Sequence, residues 1–133
     1  MSRRGSRRRR SRASVLAADK YVRSWSLALM FATHDELVGH SALRAVSDPE
    51  PLVRTTVAVA LANKDVVGRA EALMGLLDDP EGPVRQMAAA ALVEIGDVGA
   101  LPRLRDRVER EGDDHARAAM RRAIVSLEER PGS

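Results

Sequence analysis

An all-helical repeat solenoid is the fold class this sequence predicts, and three observations predict it. A short turn-and-arginine motif recurs every 31 or 32 residues, and each copy is followed by apolar residues at helical spacing. The apolar residues are overwhelmingly Ala, Val and Leu, with Tyr21, Trp25 and Phe31 the only aromatics among 133 residues. Small aliphatic residues without rings let helices approach closely and do little for a sheet.

The motif is clearest at Asp48-Pro49-Glu50-Pro51-Leu52-Val53-Arg54 and at Asp79-Pro80-Glu81-Gly82-Pro83-Val84-Arg85. A weaker copy reads Glu111-Gly112-Asp113-Asp114-His115-Ala116-Arg117, and an upstream one keeps only Asp19-Lys20-Tyr21-Val22-Arg23. The closing arginines 23, 54, 85 and 117 are separated by 31, 31 and 32 residues. After them come Val57, Ala60 and Leu61; Met87, Ala88, Ala91, Leu92 and Ile95; and Ala119, Met120, Ala123, Ile124 and Leu127. Steps of three and four place each set on one buried helix face. Pro51 and Pro83 fall where a helix begins, and Asp48, Asp79 and Asp113 just upstream can accept from free N–H groups.

A second helix is expected in each interval. Its starts are marked by Asp35, Asp65 and Asp97, with Gly96 able to end the preceding helix in a left-handed conformation. Its core positions are Leu37, Leu43 and Val46, then Ala70, Leu73, Met74 and Leu77, then Leu101, Leu104 and Val108. Pro102 falls in a first turn, where it is tolerated. The expected architecture is about seven helices in three and a half repeats over residues 14–130.

Residues 1–13 form a separate basic tail. Arg3, Arg4, Arg7, Arg8, Arg9, Arg10 and Arg12 are seven of the 22 basic residues, leaving 15 against 19 acidic ones. The high pI therefore belongs to the tail, and its composition predicts disorder. Arg over Lys partly reflects a GC-rich genome, so the preference alone carries no phosphate chemistry. With no cysteine, disulfides and thiolate metal sites are excluded. The arginines are followed by no apolar export stretch, and no segment is long enough to span a bilayer; the expected location is the bacterial cytoplasm. A mitochondrial presequence would need an amphipathic helix that this arginine density opposes, and a misplaced start codon is the least interesting account of the tail. As an arm the tail suits either RNA or DNA, or an acidic protein surface or anionic membrane.

The runs 48–54 and 79–85, with Ala90-Ala91-Leu92-Val93-Glu94-Ile95-Gly96-Asp97, resemble the HEAT-repeat family. The resemblance extends over residues 15–128 and is nearest the short repeats of phycobilisome-lyase-like proteins. It implies an armadillo-like α-solenoid scaffold that binds proteins, without naming a ligand. It also implies a hydrogen-bonded ladder between repeats, with Asp48, Asp79 and Asp113 matching the turn acids and Arg54, Arg85 and Arg117 the arginines. Such a row of arginines could also bind phosphate. An acidic turn residue within each arginine's own repeat favours the structural role.

Catalysis is not expected. His34, Asp35, Glu36 and His40 are the only metal-ligand cluster, and the equivalent sites, Lys64-Asp65 and Gly96-Asp97, supply no second half-site. No Ser-His-Asp set, glycine-rich phosphate loop or chromophore cavity can be defended, so neither cofactor nor metal is predicted. Tyr21 and Trp25, four apart beside the basic tail, could stack on bases. Trp25 shares the buried register of Thr56 and Ala88, which favours covering the end of the stack.

Two functions compete. In the first, the chain is a non-catalytic scaffold holding a protein partner. The alternative is a nucleic-acid-associated protein whose arginine arm contacts RNA or DNA phosphates without sequence preference. The expected groove residues Thr55, Val59, Gln86, Ala89, Val93, Arg121 and Val125 include no ring, which favours the protein partner.

Overall fold

The computed structural model describes residues 42–130. The arginine tail, Arg23, Tyr21, Trp25, the expected helix start at Asp35 and the His34–His40 cluster lie outside the described residues. What is described opens on a helical segment, 42–45, that ends in a turn before Asp48. Five α-helices follow: α1 (Pro51–Asn63), α2 (Arg69–Leu76), α3 (Gly82–Ile95), α4 (Leu101–Arg110) and α5 (Asp114–Glu128). A 3-10 turn, Val98–Ala100, leads directly into α4. No strand occurs among the described residues.

Helices α1, α3 and α5, which follow the three motifs, pack side by side with α3 in the middle. Helix α2 packs on α3 and α4 on α5, so the second and third motif turns each close a helical hairpin. The core is the periodic set the sequence marks. Val57, Leu61, Leu73, Leu77, Val84, Ala88, Leu92, Leu104, Met120 and Leu127 are fully buried. Each buried Leu contributes on the order of 2 kcal/mol through removal of its side chain from water.

Local chemistry sets the helix ends, in two places differently from expectation. Pro51 opens α1 and Pro83 lies in the first turn of α3. Asp48 and Asp79, however, do not cap those helices. Their Oδ1 atoms accept from the N–H groups of Glu50 and Glu81, each at 2.9 Å, and so fold the turn itself. Only Asp113 is a true N-cap, accepting from Ala116 N at 2.8 Å.

The second difference concerns α2. Asp97 accepts from Gly99 N and starts the turn into α4, as expected. Asp65 starts nothing: the chain stays extended at Lys64, and α2 begins only after Gly68, whose φ is +91°. The reason lies in where the glycine stands. Gly96 takes a φ of +68° directly behind α3 and turns the chain at once. Behind α1 the first glycine is Gly68, and Lys64, Asp65 and β-branched Val66 and Val67 intervene before it. Arginines add a second donor to carbonyls at helix C-termini: Arg69 donates to Lys64 O at 2.6 Å, and Arg130 to Val93 O at 2.8 Å.

Candidate functional site

Two features could serve function: the row of arginines at the turns, and the surface where α1, α3 and α5 lie side by side. The arginines come first because the sequence singled them out. Arg54 sits one turn into α1 and is nearly buried. Its Nη1 donates to the carbonyl of Asp48 in its own turn at 2.8 Å. Its Nε and Nη2 donate to both carboxylate oxygens of Asp79, in the next turn, at 2.6 and 3.1 Å.

Arg85 repeats the arrangement one step on. It donates to Asp79 O at 2.7 Å, and to Glu111 Oε1 and Oε2 at 2.7 Å each. These forked contacts match the planar guanidinium to the planar carboxylate. The hydrogen bond to Asp79 raises the Arg54 guanidinium above its ordinary value, and the bond to Glu111 does the same for Arg85, burial opposing in both. The Arg85 bond and the Asp113 N–H hold the Glu111 carboxyl below the usual carboxylate range, again against burial.

Two details differ from the sequence reading. The carboxylate partner comes from the following repeat, whereas the arginine's own turn supplies a backbone carbonyl. The third acid is Glu111, not Asp113. Counting back six residues from Arg117, as from Arg54 to Asp48 and Arg85 to Asp79, lands on Glu111; the missed signal was register, since Glu stands where the earlier copies have Asp. Arg117 turns to Asp114 of its own helix and to the Glu111 carbonyl. Arg54 and Arg85 thus have their donor groups committed inside the protein, an arrangement that leaves them little to offer a phosphate.

The helix surface is open by contrast. One groove, of about 300 Å³, runs between α1 and α3, lined by Val59, Ala62, Asn63, Met87, Ala90 and Glu94 among others. A second, of about 270 Å³, runs between α3 and α5 with Val93, Arg122 and Ser126 in its walls. Ala90 and Glu94, on the exposed face of α3, line both, so the two grooves flank that helix as a double valley. Of the expected groove residues only Val59 and Val93 line it. Ala89 is fully buried and exposed Arg121 lines neither groove; at these two positions the lining residue is the next one, 90 and 122, each equivalent to 59.

Among the described residues no three His, Cys, Asp or Glu side chains group as metal ligands, and His115 is exposed. No described helix is long and apolar enough to cross a membrane.

A stack of helical hairpins joined turn to turn by arginine–carboxylate contacts is an α-solenoid. A family profile described as HEAT repeats matches residues 41–125, and the chain belongs to the HEAT-repeat family. No curated protein matches it. HEAT repeats as a class mediate protein–protein interaction, and the family is typically non-catalytic.

Proposed function

We propose that the protein is a non-catalytic scaffold that holds a protein partner along the double valley flanking α3. The observation that carries this reading is that Ala90 and Glu94 line both grooves, so one partner segment lying along α3 could engage both. Small side chains at Ala62, Ala90 and Ala91 leave room for a partner's apolar side chains, and Glu94 and Arg122 place one charge of each sign to fix its direction. The structural ladder of Asp48, Arg54, Asp79, Arg85, Glu111 and Arg117 holds the helices that present the valley.

A photo-crosslinking residue placed at Ala90 and, separately, at exposed Glu109 in the full chain tests this inside cells. Capture of a discrete protein from position 90 and not from 109 is the expected result. Equal capture at both positions, or none at 90, overturns it.

A second reading rests on the seven arginines of residues 3–12. They suit an electrostatic arm for RNA or DNA, acting beside the solenoid and without sequence preference.

A further inference from the structure

With the double valley taken as the site where a partner lies, its walls define the chemistry that partner carries. Every residue lining the α1/α3 groove, moved on by one repeat, lines the α3/α5 groove. Thus Val59 is matched by Ala90, Asn63 by Glu94, Ala90 by Arg122 and Glu94 by Ser126. The contacts Arg54–Asp79 and Arg85–Glu111 hold the starts of α1, α3 and α5 along one edge, so matched positions stand level. At one level Ala90 lies between Val59 and Arg122. One turn on, about 6 Å along α3, Glu94 lies between Asn63 and Ser126.

Glu94 and Arg122 are the charged residues of the two linings, and both are exposed. Among the described residues neither makes an ion pair or a hydrogen bond, although they share the α3/α5 groove. On α4, by contrast, exposed arginines are paired: Arg103 with Asp78, Arg105 with Glu128 and Arg110 with Asp106. Beside Glu94, Asn63 turns its amide nitrogen to the Val59 carbonyl at 2.9 Å, so its oxygen is left to accept. The level of Glu94 therefore suits a cation, and the level of Arg122 an anion.

We infer that the valley takes a short amphipathic helix of a protein partner, lying along α3. It sets an apolar side chain over Ala90 and Val59, an acidic one against Arg122, and a basic one, a turn away, against Glu94. The small side chain at Ala90 lets a helix approach closely. The single turn between the two levels is the spacing of neighbouring side chains on one helix face. A helix with the charges exchanged would set like charges together at both levels, and this excludes it.

The test pans a phage-displayed library of random peptides, about four helical turns long, against the full-length chain. Captured peptides are then synthesised and titrated by fluorescence anisotropy. Ala90→Trp fills the floor of the valley, so peptides that lose binding to this variant are the ones seated there. In these, an acidic and a basic residue three or four apart should recur beside an apolar one. Glu94→Lys and Arg122→Glu should each weaken them about tenfold. Panning against Glu94→Lys should return peptides with a second acidic residue in place of the basic one. These positions are exposed, so the helical spectrum should match wild type. If a charge reversal disturbs it, Glu94→Gln and Arg122→Gln read the same loss in smaller degree. Peptides that lose binding to Ala90→Trp yet bind the charge variants as they bind wild type overturn this inference and leave the valley as the partner site. If no captured peptide responds to Ala90→Trp, the valley reading falls, and this inference with it.

Discussion

The guanidinium of Arg85 and the carboxylate of Glu111 meet in parallel, Nε to Oε1 and Nη2 to Oε2, both at 2.7 Å across 26 residues of chain. The Glu111 side chain has no solvent exposure, so nothing but protein satisfies it. Replacing Arg85 with Leu leaves that carboxylate buried without its forked partner, held only by the Asp113 N–H and by Arg107, whose Nε lies 3.6 Å from Oε1 without a hydrogen bond. A loss of about 3 kcal/mol or more is expected. The double variant Arg85→Leu/Glu111→Leu should recover part of it, since the buried carboxylate goes with its partner while Arg107 keeps only its longer contact to Asp78. Arg110→Leu, which breaks an exposed pair with Asp106, should cost about 0.5 kcal/mol or less. Urea unfolding of the three variants checks the ordering, and equal costs for Arg85→Leu and Arg110→Leu would remove the ladder from the account of stability.

Acid should weaken the same contact. The folded state holds the Glu111 carboxyl below its ordinary value near 4.5, chiefly through the Arg85 hydrogen bond. Its contribution is therefore complete above that ordinary value and is lost as pH falls through the folded value. Glu111→Gln cannot titrate. The stability gap between wild type and this variant should be widest at neutral pH and narrow steadily below about pH 4. A gap independent of pH, measured by urea midpoints, would contradict this.

Two glycines should respond to alanine in opposite directions. A Cβ on Gly82, in the first turn of α3, would lie 2.8 Å from Asp113 Oδ2 and 2.9 Å from its Cγ. Asp113 caps α5, so Gly82→Ala should displace the cap and cost about 1 kcal/mol. A Cβ on Gly75, within α2, meets nothing within 4 Å. Gly75→Ala should stabilise by about 0.5 kcal/mol through helix propensity alone. Thermal melts that move the same way for both would show that the Asp113 contact does not govern Gly82.

The arginine arm has its own test. If residues 1–13 bind phosphates, deleting them should abolish most binding to duplex DNA of unrelated sequences. Binding by the full chain should fall with salt at a log–log slope of roughly −6, for seven phosphates engaged. Binding that survives the deletion would move the site onto the solenoid, and none at low salt would remove this reading.

The repeats were legible because three constraints coincide at the two clearest copies, 48–54 and 79–85: arginine spacing, proline at the helix start, and apolar steps of three and four. Where only one held, the reading failed. Asp65 matched the spacing of helix starts, but the chain behind α1 lacks the glycine that turns it behind α3, and α2 began four residues late. Glu111 held the ladder register but differed in residue type, and the nearer Asp113 drew the assignment through its capping chemistry. The valley was misread by a single residue, because alanines at both 89 and 90 hide which one faces outward. Burial alone decides between them, and burial belongs to the packed structure.

Arg54 touches two consecutive turns at once, the carbonyl of Asp48 and the carboxylate of Asp79, and Arg85 does the same with Asp79 and Glu111. Neighbouring turns therefore share a side chain, and Asp79 belongs to both contacts. A hairpin that melts takes away the next one's charge partner, so a boundary between folded and melted repeats is costly wherever it forms. In a linear array the cost of such boundaries sets cooperativity. These shared arginines make a short stack of marginal hairpins melt in one step instead of fraying hairpin by hairpin.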